Sequence, residues 1–269
     1  MIIYILFILL SIMTNILITY FSNIYDKWYL ILIMIILIPI TFILYVILYL
    51  FLITFFSLFI NKKEPKKPNK FTNFLIKETS YLFIKLLNIK VIQNSNIELP
   101  KEKALIVSNH KSNLDPLIIC AYIKKFPIIA VTKPENLYKP IYGKYVTKSG
   151  YIKIDRDDDI KAANAIKEAS VLLKNNLANV LIFPEGKRNF NDGLLDFHHG
   201  SFKIATRYKS PTIVISLKYN KRFSFKTIFK KTIVTLNIIK VFDSNDYNGP
   251  RTNEISEKAY NLIKESLED

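Results

Sequence analysis

Cysteine and histidine are scarce in this chain of 269 residues, which contains one cysteine and three histidines. The single cysteine, Cys120, excludes an intramolecular disulfide and fits a reducing compartment. It follows Pro116 near the start of a predicted helix, so we interpret it as a core residue rather than a nucleophile. His198 and His199 are adjacent but lack the ligand spacing of a metal site. We therefore expect no metal and place both histidines at a rim or turn.

Charge is almost absent from the first 61 residues, which contain one acid, Asp26, and one base, Lys27. The formal net charge of +16 therefore lies entirely on residues 62–269. Such a change in composition indicates a change of solvent, from lipid to water. It divides the chain into an apolar appendage and a basic domain.

Two apolar runs fill the neutral segment. Residues 2–21 suffice to cross a hydrocarbon core of roughly 30 Å as a helix, and residues 28–60 exceed a simple span, with Pro39 as a site for a kink. A cleaved signal peptide is the alternative for the first run, but the run lacks a positively charged start and a small-residue cleavage site. We therefore predict that residues 1–61 form two membrane-anchoring helices joined by the polar loop 22–27.

Residues 62–70 form a basic linker with five lysines and two prolines. A plain solvated linker has this composition, but the lysines also favour the cytoplasmic side of the cell membrane and attract anionic lipid headgroups. The other Lys and Arg residues are scattered over residues 71–269 without a DNA- or RNA-binding signature. We therefore expect a cytoplasmic domain at 71–269 whose partners are lipids of the bilayer and phosphorylated substrates, not nucleic acid.

Residues 71–269 alternate between the period of strands and that of helices. Helical spacing appears in residues 162–173, after three consecutive aspartates suited to a helix N-terminus, and again in residues 255–266. This alternation predicts an α/β fold, with a largely parallel or mixed sheet flanked by helices. The predicted strands are seven apolar segments at 91–92, 104–107, 128–131, 151–154, 180–183, 213–217 and 233–239.

Three of these strands end in polar residues. The segment "ALIVSNH" ends in His110, "YIKIDR" ends in Arg156, and "NVLIFPEGKR" ends in residues 185–188. Ligands of open α/β sheets bind beyond the carboxyl ends of the strands. Together the three strand ends therefore predict one site for a negatively charged substrate.

His110 is the natural general base of such a site, because imidazole titrates near neutral pH and a carboxylate partner fixes its tautomer. Asp115 lies five residues further on, so the loop must turn back for the two side chains to meet. The sequence equally fits another role, in which Asp115 caps a helix that begins with Pro116. Spacing alone leaves the two roles open.

The other two strand ends suit an anion clamp. Arg156 and Arg188 can each grip a phosphate through two parallel hydrogen bonds, and Gly186 lets backbone N–H groups approach closely. Taken alone, "FPEG" also fits a plain turn with a solvated arginine. Its position at the third strand end favours the clamp.

The stretches "NHKSNLD" and "FPEGKR" match the N-H-x-x-x-x-D and F-P-E-G-x-R boxes of the glycerolipid acyltransferases, and residues 85–217 resemble that family. Residues 133–156 are similar to the family's acceptor-site stretch, and the likeness continues through Phe197, Gly200 and Phe202 to Pro211. Either box alone is a weak signal, but the two at this separation are specific. The resemblance implies the family's α/β fold.

The resemblance also implies a reaction: transfer of a fatty acyl group from acyl-CoA or acyl carrier protein to the 2-hydroxyl of lysophosphatidate, giving phosphatidate in phospholipid synthesis. In this reaction His110 takes the hydroxyl proton and Asp115 orients His110. No cofactor is expected, because a thioester co-substrate is already activated. The residues implied in binding the glycerol phosphate are Glu185, Gly186, Lys187, Arg188 and Arg156.

Several positions depart from the family pattern and leave the acceptor and the acyl chain open. Lys187 replaces the usual Thr or Ser, Pro134 and Asn136 replace the usual Lys and Leu, and Val214 stands where a second proline is common. One alternative is the same chemistry on glycerol 3-phosphate, a lysophospholipid or an amino-acid lipid. The other alternative is a non-catalytic protein that binds anionic lipid, although such a protein has no use for a poised base.

Overall fold

The computed structural model describes residues 1–21, 29–61, 63, 65, 67–191, 193–224 and 230–268. The chain divides into two compact units, residues 1–61 and residues 62–269. The predicted polar loop at 22–27 lies outside the described residues, as do residues 62, 64 and 66 of the basic linker.

The first unit consists of two apolar helices. Helix α1 spans Ile2–Phe21, and helix α2 spans Tyr29–Ser57 without interruption at Pro39. Both helices are long and apolar enough to cross a membrane. They are joined by polar contacts such as the hydrogen bond of 3.0 Å from Asn15 Nδ2 to Thr41 Oγ1. Such bonds hold helices together in apolar surroundings, where burial of apolar surface supplies no attraction.

The second unit is built around a seven-stranded sheet with the order β1-β7-β6-β2-β5-β3-β4. All neighbouring strands are parallel except β6 and β7, which are antiparallel. The predicted mixed, largely parallel sheet is therefore confirmed, and each predicted strand is present. The strands are β1 (Ile89–Asn94), β2 (Leu105–Ser108), β3 (Ile128–Thr132), β4 (Ile152–Lys153), β5 (Asn179–Ile182), β6 (Thr212–Tyr219) and β7 (Thr232–Phe242).

Helices connect and cover the strands. In the described part of the unit these helices are α3 (Lys70–Leu86), α4 (Asp115–Tyr122), α5 (Pro134–Tyr138), α6 (Tyr142–Ser149), α7 (Asp159–Lys174), α8 (Lys203–Thr206) and α9 (Thr252–Glu268). The aspartate run starts α7 as predicted, since the Asp158 side chain accepts hydrogen bonds from the Ile160 and Lys161 N–H groups. Strands β2 and β5 are buried along their whole length, so both read as continuous apolar runs.

The carboxyl ends of the central strands lie side by side. Val107 of β2 pairs with Ile182 of β5 on one side and with Val214 of β6 on the other. The loops that follow β2 and β5 therefore emerge next to each other, and β6 ends beside them. At the same edge of the sheet β3 pairs with β4, whose ends lead to Lys133 and Arg156. The fold thus gathers the predicted strand ends at one edge.

Candidate active site

The loop after β2 is anchored to β6 by a buried side chain. Asn109 Nδ2 donates to the Leu217 carbonyl oxygen at 3.0 Å, and the Leu217 N–H donates to Asn109 Oδ1 at 2.8 Å. The Asn109 side-chain amide thus makes the two hydrogen bonds to β6 that a further backbone residue of β2 would make. As a result His110 leaves the sheet at a fixed position.

The structure brings His110 and Asp115 together. His110 Nδ1 lies 2.8 Å from Asp115 Oδ2, so the loop turns back as the pairing requires. A carboxylate can only accept, so Nδ1 is the donor, and in a neutral imidazole ring Nε2 then holds the lone pair. The His110 ring stacks on that of Phe183, with ring centroids 4.2 Å apart. The histidine side chain is 17% exposed to solvent.

Asp115 does not cap the following helix, which begins after Leu114 with no side-chain cap. Its Oδ2 atom also accepts hydrogen bonds from the N–H groups of Lys111, at 2.7 Å, and Ser112, at 2.8 Å. The side chain is completely buried. Of the two roles that the sequence left open, the structure therefore shows the pairing with His110.

Tyr219, at the end of β6, completes the surroundings of Asp115. Its hydroxyl donates to Asp115 Oδ1 at 2.5 Å. Burial, and then the nearby carboxylate, raise the pKa of Tyr219 well above its ordinary value, so the hydroxyl keeps its proton and remains a donor. Sequence reasoning missed this residue because the predicted strand stopped at residue 217. A polar residue at the end of a strand beside β2 is the signal that would have found it.

Glu185 ties the loop after β5 to the loop after β2. Its Oε1 atom accepts from the His110 N–H at 2.6 Å, and its Oε2 atom accepts from the Leu195 N–H at 3.0 Å. The Asn189 N–H donates to the His110 carbonyl oxygen at 2.7 Å and strengthens the same junction. Burial raises the pKa of Glu185 although both N–H groups oppose this. This carboxylate is suited to positioning His110 and is unsuited to binding a phosphate.

A cavity of about 410 Å³ opens beside this junction. Glu185 and Gly186 form part of its wall, together with residues that follow β3 and β4. Its basic lining residues are Lys133, Arg156, Lys187 and His198, and its other acidic lining residues are Glu135, Asp155 and Asp157. Burial lowers the pKa of the half-buried Arg156. A cavity with several cationic groups at the carboxyl edge of a sheet suits an anionic ligand.

Besides Glu185, two further predicted phosphate ligands are placed differently from expectation. Arg188 is not among the residues that line the cavity, and its guanidinium lies 5.2 Å from the centre of the exposed Phe190 ring. The N–H of Gly186 donates to the Phe183 carbonyl oxygen at 3.0 Å, so it is already engaged. Gly186 instead serves through its backbone, because its φ of +76° is strained for any other residue type.

The remaining candidates have structural surroundings. Cys120 is buried in α4, and burial raises its pKa to about 11, so the thiol is a core residue as expected. Among the described residues, no group of three or more His, Cys, Asp or Glu side chains is arranged to hold a metal ion. His199 begins a short 3₁₀ turn, as the predicted rim or turn position implies. His198 lines the cavity, whereas the sequence placed it only at a rim or turn.

Comparison with known proteins agrees with this geometry. The sequence profile of the family described as Acyltransferase matches residues 88–218. The chain is 28% identical over 207 residues to the probable 1-acyl-sn-glycerol-3-phosphate acyltransferase of Mycoplasma genitalium, covering 69% of this chain and 75% of that protein. It is 24% identical over 164 residues to the 1-acyl-sn-glycerol-3-phosphate acyltransferase of Escherichia coli, covering 61% of this chain and 66% of that protein, just under two thirds.

A solved structure shares the fold. The crystal structure of the 1-acyl-sn-glycerophosphate acyltransferase of Thermotoga maritima superimposes with a TM-score of 0.59 at 20% sequence identity, covering 73% of this chain and 78% of that chain. The matched profile also contains both boxes, with His110, Asp115 and Glu185 to Arg188 inside residues 88–218. Residues 88–218 therefore match the Acyltransferase family.

Proposed function

We propose that the protein transfers a fatty acyl group from a thioester to the 2-hydroxyl of lysophosphatidate and releases phosphatidate and a free thiol. The observation that carries the proposal is the pairing of His110 with the buried Asp115, next to a cavity lined by Arg156, Lys133 and Lys187. A base beside an anion site fits an acceptor that presents both a hydroxyl and a phosphate. The names of the relatives give acyl transfer to the same acceptor.

The reaction needs two proton transfers, one to His110 and one from it. His110 Nε2 removes the proton of the acceptor hydroxyl while its oxygen attacks the thioester carbonyl carbon. Asp115 holds Nδ1 and stabilises the imidazolium that forms. When the C–S bond breaks, the imidazolium returns the proton to the departing sulfur. No cofactor or covalent acyl-enzyme enters this sequence, because the thioester is already activated.

The acceptor's phosphate lies in the cavity in this proposal. Arg156 and Lys133 line it, and Lys187 stands at its exposed side. Arg188 is the next residue, and its exposed guanidinium has no carboxylate within 4 Å in the part of the chain that the structure describes. We include Arg188 as a further ligand, reached by rotation of its long side chain away from Phe190. Glu185 and Gly186 shape the wall rather than bind the phosphate.

Both substrates carry acyl chains, and lysophosphatidate is a membrane lipid. The first unit can anchor the protein in the membrane where this lipid is found. We propose that α1 and α2 hold the protein in the cell membrane, with the catalytic domain on the cytoplasmic side, where the lysines of residues 62–70 favour it. If both helices span, residue 22 lies outside the cell. Impermeant labelling in intact cells of Ser22→Cys, in a Cys120→Ala background, therefore succeeds. Labelling of Lys66→Cys under the same conditions contradicts the orientation.

The reaction itself is tested by release of free thiol from acyl-CoA by purified full-length protein in detergent, with and without lysophosphatidate. We expect release to depend on the acceptor and to yield phosphatidate by mass spectrometry. Acyl carrier protein as the donor, in a parallel series, separates the two donors. Turnover only with glycerol 3-phosphate, a lysophospholipid or an amino-acid lipid would retain the mechanism and replace the acceptor. Absence of transfer to every acceptor would contradict the proposal.

A further inference from the structure

His198 is the one histidine among the described residues that line the cavity. It follows the buried Phe197, and its backbone N–H donates to the Pro184 carbonyl oxygen at 2.9 Å. This bond holds residue 198 against the loop after β5. The imidazole is exposed to solvent at the cavity wall.

Gly186 makes room for this imidazole. A Cβ atom on residue 186 would lie 2.7 Å from His198 Nε2 and 3.4 Å from Arg156 Nη1, so a side chain there would collide with the imidazole ring and crowd the guanidinium. Because both nitrogens approach this one point, they lie at most about 6 Å from each other. One phosphate, accepting a hydrogen bond of roughly 2.8 Å from each nitrogen, fits such a separation.

We propose that His198 is a substrate-binding residue that, with Arg156, holds the phosphate of the acceptor, and that its protonation sets how the affinity for that phosphate changes with pH. This inference rests on the proposed function for the identity of the acceptor. It extends the phosphate site by a residue of the "DFHHGSF" stretch that neither of the two boxes contains.

The other charged groups that face the cavity determine how strongly one more positive charge changes the charge balance of its lining. Asp155 has a partner in Lys161, with Nζ to Oδ2 at 3.5 Å, and the buried Glu185 is held by two N–H groups. Lys133, Lys187 and Arg156, whose residue types stay charged through neutral pH, therefore face four carboxylates in the cavity lining. The permanent cations do not outnumber the carboxylates, so the added charge of an imidazolium changes the balance substantially.

The sign of the effect follows from the charge of the histidine. Imidazole side chains carry a positive charge in the acidic part of the range from about pH 5 to 8 and lose it in the alkaline part. The acceptor KM should therefore rise as pH rises. The second ionisation of the phosphate, near pH 6 for phosphate monoesters, adds negative charge to the ligand in the same range. That ligand effect is common to all variants and cancels when they are compared at one pH.

The test compares His198→Ala and His198→Lys with the matched control His199→Ala, each as full-length protein in detergent. At pH 6 we expect His198→Ala to raise the acceptor KM about tenfold, the loss of one hydrogen bond to a charged group, with kcat and the donor KM unchanged. We expect His198→Lys to keep a low KM and to lack the rise at alkaline pH, because its charge is permanent. His199→Ala should follow the wild type.

Binding of inorganic phosphate without donor separates this inference from the proposed reaction. The ratio of the wild type's phosphate affinity to that of His198→Lys should be lower at pH 8 than at pH 6. We expect this whether or not acyl transfer to lysophosphatidate occurs. A phosphate affinity and an acceptor KM that are the same in the wild type and His198→Ala at both pH values would overturn the inference. Absence of transfer by the wild type, with the phosphate result intact, would instead count against the reaction alone.

Discussion

The surroundings of Asp115 and of Arg156 differ in how many partners each side chain already has. Asp115 is buried and accepts four hydrogen bonds, from His110, Tyr219 and two backbone N–H groups. Arg156 is half-buried, and no carboxylate of the described residues lies within 4 Å of it. Asp115, which must hold the base in one tautomer, has all its hydrogen-bonding positions filled. Arg156, which must receive a ligand, keeps its donors for that ligand.

This difference assigns separate kinetic consequences to the two regions. Changes around Asp115 act on the transition state and lower kcat, because substrate does not contact that side chain. Changes in the cavity remove contacts made in both ground and transition states and raise the acceptor KM. A change around Asp115 that mainly raises the acceptor KM, or a change in the cavity that mainly lowers kcat, would contradict this separation.

His110→Ala should have the largest effect. Loss of the base should lower kcat by about 10²–10⁴-fold, since general-base catalysis typically contributes that much. The acceptor KM and the thermal unfolding temperature should stay close to those of the wild type. Thiol release under saturating substrates measures the change. Near-normal turnover would remove the base from the mechanism.

Asp115→Asn should lower kcat by about 10²-fold or more through loss of the negative charge behind the base. The amide cannot replace the carboxylate, because its NH₂ group would meet either the N–H donors of Lys111 and Ser112 or the hydroxyl donor of Tyr219. We therefore also expect a lower free energy of unfolding, measured by urea titration. An unchanged kcat would mean that the hydrogen bond to His110 is structural only.

Arg156→Ala should leave kcat nearly unchanged and raise the acceptor KM by about 10–100-fold, the loss of a charge-assisted hydrogen bond. Arg156→Lys should recover part of this loss, because an ammonium lacks the planar fork of a guanidinium. The exposed Arg251, which immediately precedes α9, provides the control Arg251→Ala. An increase confined to the donor KM would assign the cavity to the phosphates of the acyl carrier.

Tyr219→Phe should have the smallest effect. It removes the hydroxyl from Asp115 Oδ1 but leaves the three hydrogen bonds to Oδ2 in place. We expect a kcat lower by about three- to tenfold and a free energy of unfolding lower by about 1–3 kcal/mol, the cost of leaving one buried acceptor without its donor. A loss as large as that of Asp115→Asn would show that Tyr219 itself touches the substrate.

The sequence predicted most of the fold and located both members of the His110–Asp115 pair (the dyad), because both depend on local patterns. Apolar runs give the seven strands, and the motif spacing locates His110 and Asp115, although only the folded loop decides between pairing and helix capping. The cavity depends on contacts between distant segments. Residue 186 makes room for His198 only after the loops meet, and the packing of Arg188 over Phe190 leaves no trace in the spacing of "FPEGKR". The partners of Glu185 are backbone groups, which composition does not reveal.

In the proposed function, the cavity recognises the acceptor's phosphate while the dyad performs the transfer. The most direct test of this assignment is the ratio of kcat/KM for lysophosphatidate to kcat/KM for monoacylglycerol, which lacks the phosphate, in the wild type and in Arg156→Ala. We predict that Arg156→Ala lowers this ratio by about tenfold or more, through lysophosphatidate alone. An equal loss with both acceptors, leaving the ratio unchanged, would contradict the account.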